Sequence, residues 1–384
     1  MRILVFSHEL PPVGGGGGRV AQDICQGLVE RGHEVRIITA HLKGLPREEI
    51  LDGVRVFRLA SGRHFPFRAD LIEMAIYDLV AVASGLRMIR EWQPDLIHAH
   101  FAVPAGAAAY VLSRLTGVPY VVTAHLGDVP GGVPEKTERW FRWVYPFTAP
   151  IYRSAAKVVA VSEFTRQLAQ AHYPVAIDVI PNGVDLRGLP ARVKNKNGAA
   201  RIVFVGRFMH QKNPQHVVTA LAALRDLPWK CTMLGDGPLR QQVEMEIDRQ
   251  GLEDRFFLPG WVAPQDVLSW YAKSDILLLP SRSEGLPVVG VQALAMGLVL
   301  ALSTAGGNVE LVKNGENGFL FDPGDIDSLV SGLRILLGDP QRLLNAGKRS
   351  LELAKRFDIE LVVKQYEALF EQIIGKAKVQ SKES

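Results

Sequence analysis

The chain has two cysteines in 384 residues, Cys25 and Cys231, far apart and in no metal-ligand spacing. A disulfide framework and a sulfur-bound metal are thereby excluded, and a reduced, cytoplasmic compartment is the default expectation. Apolar runs of bilayer-spanning length are missing too. The opening residues MRILVFSHELPP carry neither a basic leader nor a small-residue cleavage site, so they are expected to form a strand rather than a signal peptide. Blocks of one charge sign are also absent. Forty-four Lys and Arg against 40 Asp and Glu leave a scattered net charge of +4, which gives no nucleic-acid footprint. The expectation is a soluble or peripheral protein with a small-molecule site.

What is there is apolar sequence in short pieces. At 47% hydrophobic, 384 residues exceed what one core normally uses, and two domains are expected. Strand-like runs alternate with helical patterns, and most end in Gly, Ser, His or Asn, as in a parallel sheet whose carboxyl ends carry function. In the first half these runs cover residues 3–6, 35–39, 96–99, 120–123, 158–161 and 178–180; in the second half they cover 202–205, 230–234, 256–258, 276–279, 299–302 and 319–321. Between the halves, LRGLPARVKNKNGA is polar, basic and without period, which suits a linker. The expected layout is an N-terminal domain at 1–185, a linker at 186–199, a second domain at 200–356, a terminal helix at 357–375 and a tail at 376–384. Asp358 is placed to cap that helix, whose apolar face is Val362, Tyr366, Leu369, Phe370 and Ile373.

The strand-end loops hold the chemistry. Gly14 to Gly18, with Gly15, Gly16 and Gly17 at its centre, lies between the first strand and an amphipathic helix. Backbone N–H groups at such a helix start can approach a phosphate or sugar closely, although a flexible connecting loop has the same composition. A dinucleotide fingerprint is excluded, because its third glycine falls on Arg19 and Thr39-Ala40-His41 offers no acid after the second strand. His125, in TAHLGD, sits where it can donate to a sugar hydroxyl or a developing charge, with His98 and His100 competing for that role. Gly206-Arg207-Phe208, with Lys212 five residues after Arg207, puts a forked and a point cation at a sheet's mouth, suited to a diphosphate leaving group. Gly235-Asp236-Gly237-Pro238 and Gly306-Gly307-Asn308 add further glycine turns, which turn chemistry alone also explains.

In EGLPVVGVQALAMG, Glu284-Gly285-Leu286-Pro287 precedes a helix that Pro287 is expected to start, with Gln292 about two turns inside it. Glu284 reads either as a ligand contact or as a balance to the helix dipole. Arg139-Trp140-Phe141-Arg142-Trp143-Val144-Tyr145 mixes cations with aromatics, as an interfacial segment or as a half-buried helix does. Asp325-Ile326-Asp327 is a literal D-x-D that opens a helix, and reads as a cap.

These residues resemble the retaining glycosyltransferases of glycosyltransferase family 4. GRFMHQKN is similar to that family's G-R-x-x-x-x-K element and PSRSEGLPVVGVQALAMG to its E-x7-E element, with Gln292 in place of the second Glu and Val299 in place of a usual Pro. TAHLGD, VSEFT and IPNGVD carry the likeness into the first half. The resemblance implies a GT-B architecture of two doubly wound, Rossmann-like α/β domains facing across a cleft, with the terminal helix returning to the first. It implies Arg207 and Lys212 as holders of the donor diphosphate, Glu284 and His125 as sugar contacts and Gln292 as a ribose contact. Donor binding would also involve Gly15, Gly16, Gly17, Gly206, Gly235, Gly285, Leu286 and Pro287. The implied activity is retaining, metal-independent transfer of a sugar from a nucleoside diphosphate sugar to a sugar or lipid-linked acceptor. A UDP-sugar is expected first, and GDP- and ADP-sugars are the alternatives. No separate cofactor, metal or nucleic acid is implied, and peripheral contact with a membrane is compatible with it. The competing readings are a degenerate nucleotide-sugar-binding subunit, to which Gln292 lends weight, and a sugar-nucleotide epimerase or hydrolase on the same architecture.

Overall fold

The computed structural model describes residues 1–66, 69–193, 195 and 198–383, with side chains outside 134–143 and 378–383. It divides into two units, one of Met1–Gly183 with Ile359–Ser384 and one of Val184–Asp358.

The first unit has β1 (Arg2–Phe6), β2 (Glu34–Ala40), β3 (Glu48–Leu51), β4 (Val54–Leu59), β5 (Leu96–His100), β6 (Tyr120–Ala124), β7 (Lys157–Ala160) and β8 (Ile177–Val179). Helices α1 (Gly16–Glu30), α2 (Leu71–Trp92), α3 (Ala107–Thr116), α4 (Pro134–Ser154) and α5 (Glu163–His172) connect them. The sheet runs β3-β4-β2-β1-β5-β6-β7-β8, parallel throughout except for β3 against β4. Central strands such as β5 and β6 are buried along their whole length, as a sheet covered on both faces requires. The β3–β4 hairpin departs from the expected strand set. It turns at Asp52-Gly53, both at positive φ (48° and 81°), as a tight hairpin between right-twisted strands demands.

The second unit has β9 (Ala200–Val205), β10 (Trp229–Leu234), β11 (Phe256–Gly260), β12 (Ile276–Leu279), β13 (Val299–Ser303) and β14 (Gly318–Phe321), in the all-parallel order β11-β10-β9-β12-β13-β14. Its helices are α6 (Pro214–Ala222), α7 (Arg240–Gln250), α8 (Val267–Tyr271), α9 (Val288–Ala295), α10 (Ile326–Leu337) and α11 (Pro340–Ala354). The segment 186–199 forms neither helix nor strand where it is described, and Arg192 anchors it to Asp275 at 3.1 Å.

The last helix, α12 (Ile359–Glu383), begins directly after Asp358 and packs on α1 in the first unit. Val362, Val363, Tyr366 and Phe370 are buried there, and a side chain at Gly27 of α1 would collide with Val363 at 2.5 Å. Exposed Arg31 and half-buried His33 meet Glu367 of α12, and those contacts add register more than stability. No described helix is long and apolar enough to cross a membrane.

Candidate functional site

In the second unit the strand order reverses between β9 and β12, and in an open parallel sheet a crevice forms at the carboxyl ends of such a pair. Pairing between the two strands joins Ile276 to Ile202 and Leu277 to Val203, near their start. Two loops enter beyond it, residues 206–213 after β9 and 280–287 after β12. They are stitched together: the Arg282 N–H donates to the Gln211 carbonyl at 2.8 Å, and the Gln211 side-chain amide donates to the Ser283 carbonyl at 3.0 Å. On this stitch Lys212 Nζ donates to Glu284 Oε1 at 2.5 Å, and Ser281 Oγ donates to the same oxygen at 2.6 Å.

Glu284 is buried and Lys212 half-buried, with side chains 6% and 18% exposed. A carboxylate so far from water needs its cation, and losing either partner costs more than the pair contributes. An ammonium has three donors, and among the described residues only Glu284 takes one. Behind Glu284, the Gly307 N–H donates to its carbonyl at 3.2 Å, and Ser303 Oγ donates to the Ser281 carbonyl at 2.5 Å. A Cβ on Gly307 would stand 1.7 Å from the Gly285 carbonyl oxygen, so this turn and the Glu284 loop can touch only through glycine. Gln292 is half-buried on α9, and its amide bonds to no described residue.

The first unit repeats the arrangement where its order reverses between β1 and β5. After β1, the Glu9 carboxylate accepts from the Gly15 N–H at 2.9 Å, at the entrance to α1. After β5, Phe101 takes a positive φ of 73° and sets its ring 5.1 Å from that of His8 and 4.5 Å from that of His125. A Cβ on Gly17 would lie 2.3 Å from Phe101 Cζ, which is why α1 can start so close to this ring. After β6, the Asp128 carboxylate accepts from the N–H groups of Ala102 at 2.7 Å and His125 at 2.9 Å, clamping two loops together. Phe101 and Leu126, both non-glycine residues at positive φ, flank the clamp, and strain of this kind gathers at functional sites. Burial outweighs those backbone bonds and pushes the Asp128 carboxyl up to about 6. Burial also holds His98 and His125 down to about 3 and His100 well below its usual value, so all three imidazoles are neutral near pH 7.

Two family models cover this chain almost end to end, Glycosyltransferase Family 4 at residues 14–187 and Glycosyl transferases group 1 at residues 189–352. The chain belongs to these glycosyltransferases. It is 29% identical over 383 residues to a 2-deoxystreptamine glucosyltransferase of Streptomyces kanamyceticus, covering 92% of this chain and 98% of that one. To a glycogen synthase of Mycobacterium tuberculosis it is 28% identical, covering 91% and 90% of the two chains. Among solved structures, a sucrose-phosphate synthase from Thermosynechococcus elongatus aligns with a TM-score of 0.87 at 22% identity over 98% of this chain and 99% of that one. Anabaena HepE, in complex with UDP and glucose, aligns at 0.77 and 21% identity over 97% and 99%. The fold is accordingly GT-B, two Rossmann-like parallel-sheet domains.

In this glycosyltransferase several of the second-unit residues singled out from sequence lie on the two stitched loops. Lys212 and Glu284 touch, Gly206 and half-buried Arg207 begin the same loop, and Gly285, Leu286 and Pro287 continue the other. Gly17 and His125 meet at Phe101 in the first unit, with Gly15 and Gly16 just before Gly17 at the start of α1. Of the three competing histidines, His98 and His100 are buried and His125 is half-buried.

Several expectations are corrected. The glycine loops offer fewer free donors than expected, because the N–H groups of Gly15, Gly206, Gly235 and Gly307 go to Glu9, Leu234, Gly260 and Glu284. Gly235 serves instead by close approach, since a Cβ there would lie 2.0 Å from the Gly206 carbonyl oxygen. Pro287 is the N-cap of α9 rather than its first residue, and Gln292 is the fifth residue of that helix, nearer its start than expected. Asp325, by contrast, caps α10 as expected, accepting from the Ser328 N–H at 3.0 Å. The side chains of 139–143 in the cationic and aromatic segment lie outside the described residues. No role was expected of Phe101, Glu9 or Ser281, although all three lie within three residues of a strand's carboxyl end.

Proposed function

We propose that the protein transfers a sugar from a nucleoside diphosphate sugar to an acceptor hydroxyl, with retention of anomeric configuration and without a metal ion. The observation that carries this is the Lys212–Glu284 contact at the point where the second sheet reverses. It places a cation with spare donors beside a buried carboxylate, which suits a phosphate next to a polyhydroxylated ring. In this reading Arg207 and Lys212 hold the diphosphate and take up its charge as the bond from anomeric carbon to phosphate oxygen breaks. The electron pair leaves with the diphosphate, the acceptor oxygen bonds to the anomeric carbon on the face the diphosphate leaves, and the acceptor hydroxyl proton passes to the departing phosphate oxygen.

Glu284 orients the sugar and Gln292 meets the ribose hydroxyls; within the first unit, His125 beside Phe101 is the sugar-contacting residue. A carboxamide at 292 neither gives nor takes a proton, yet it retains a carbonyl acceptor and two N–H donors for hydroxyls. A UDP-sugar is the first donor to test, since HepE was solved with UDP-glucose and with UDP. ADP-sugars follow, because Arabidopsis starch synthase IV was solved bound to ADP and acarbose. The acarbose bound there also supports a saccharide hydroxyl as acceptor. A cytoplasmic setting rests on the two buried, unpaired cysteines.

The test is release of nucleoside diphosphate from a panel of donors, with and without saccharide acceptors, followed by the anomeric configuration of the product. Acceptor-dependent release and a retained configuration are expected. Isomerised donor in the absence of acceptor, or binding without turnover on every donor, would replace transfer with epimerisation or with a binding subunit.

A further inference from the structure

Three histidines form a stack at the carboxyl ends of β5 and β6, and the transfer reading uses only the outermost. His98 and His100 lie two residues apart on β5, on the same face, with ring centroids 4.3 Å apart, and His100 stacks on His125 at 5.3 Å. The inner ring is anchored: His98 Nε2 meets Thr123 Oγ1 at 2.9 Å, and Thr123 Oγ1 meets the Tyr366 hydroxyl at 3.1 Å. The outer pair shares a single contact, His100 Nδ1 to His125 Nε2 at 3.0 Å. His100 Nε2 is buried without a partner. His125 Nδ1 is neither bonded to a described residue nor among the buried unpartnered atoms, so it is the ring nitrogen left open to a ligand.

Two neutral imidazoles joined through one N···N contact place one proton in it, and this leaves two arrangements. In the first, His100 Nδ1–H donates to His125 Nε2, His100 Nε2 is a bare lone pair, and His125 carries its proton on the open Nδ1. In the second, His125 Nε2–H donates to His100 Nδ1, and the His100 proton must sit on Nε2, where no acceptor reaches it. A buried N–H without an acceptor is rarer in folded proteins than an under-used acceptor, which selects the first arrangement.

We propose that His100 is a positioning residue that holds His125 in its Nδ1–H tautomer, so that the open nitrogen donates a hydrogen bond to a sugar oxygen at the carboxyl ends of β5 and β6. The tautomer follows from the histidine pair alone, and its use on the sugar rests on the transfer reading above. The same device, an outer partner fixing which imidazole nitrogen carries the proton, governs histidine roles in other sites.

The experiment is nitrogen-15 NMR of the full-length protein labelled at histidine, at pH 7.5, with the His125 signals identified by their loss in His125→Ala. The expected wild-type result is a protonated Nδ1 and a bare Nε2 on His125. In His100→Phe the two tautomers should mix and kcat should fall about tenfold, with nucleoside diphosphate affinity unchanged. His100→Asn restores a side-chain N–H in place of Nδ1 and should recover most of both properties. A wild-type His125 protonated at Nε2 overturns the assignment whether or not any variant folds, and so does a folded His100→Phe with the wild-type tautomer and rate. Wild-type turnover in His125→Ala would instead remove the sugar contact while leaving the tautomer result intact.

Discussion

Lys212 carries two duties, because its ammonium compensates buried Glu284 and still has donors to give. Lys212→Ala and Arg207→Ala should each lower turnover by about a hundredfold, the usual cost of deleting a donor aimed at developing negative charge. Steady-state assays with circular dichroism as a folding control check this, and near-normal turnover in both variants would remove the diphosphate assignment. At Gln292 the choice is between a packed helix residue and a ribose contact. Gln292→Leu should weaken nucleoside diphosphate binding by about 1–3 kcal/mol, the cost of leaving hydroxyls unpaired in a buried place. Gln292→Glu should keep activity and tighten binding, since an ionised acceptor strengthens the bond. Titration calorimetry on both variants decides, and unchanged affinity in Gln292→Leu would leave Gln292 a packing residue. Arg207, Lys212, Glu284 and Gln292 could be singled out in the sequence because they are polar residues at strand ends and on an otherwise apolar helix. Asp128 and Ser281 were not legible as clamps, since what they do depends on which loops the sheet order brings together.

The strands were legible wherever both faces of a sheet are covered, because such strands read as unbroken apolar runs; β12, buried at every residue, is the clearest. The β3–β4 hairpin was not, since the edge strand EEIL opens on two adjacent charges and VRVFRL is interrupted by Arg55 and Arg58, although Asp52-Gly53 was a usable turn signal. At the ends of β5 and β6 the histidine stack makes stability depend on pH. His98 and His125 are held down to about 3, against an ordinary value near 6.5, so the unfolded chain takes up their protons as pH falls from 6.5 toward 3 while the folded protein does not. Their contribution is therefore present above 6.5 and lost with acid. Asp128, held up to about 6, opposes this between its ordinary value and 6, because there the folded state binds the extra proton. In His98→Phe, which keeps an aromatic ring against Tyr366 and Phe370, one acid-sensitive proton is gone. Its unfolding free energy should decline less steeply than that of the wild type on acidification from pH 6 to pH 4, by about 1.4 kcal/mol per pH unit. Denaturant titrations across that window measure the slope, and equal slopes would show that His98 is not held neutral.

For the whole molecule, a cation pair in place of a metal predicts that turnover survives chelation. Activity lost in chelator and restored by manganese or magnesium would contradict the metal-free reading. Membrane contact is tested separately, by sedimentation with anionic liposomes; a protein that stays in the supernatant while acting on a soluble saccharide has no need of a lipid-linked acceptor. The most direct test of the central claim, a diphosphate site built on Lys212, needs no acceptor at all. Calorimetric affinities for UDP and UMP, and for the GDP and ADP pairs, are compared in wild type and Lys212→Ala. The wild type should prefer the diphosphate of its own base by about tenfold or more, and Lys212→Ala should lose most of that preference while still binding the monophosphate. Equal preference in the two proteins, or no binding of any nucleoside diphosphate by the wild type, would contradict it.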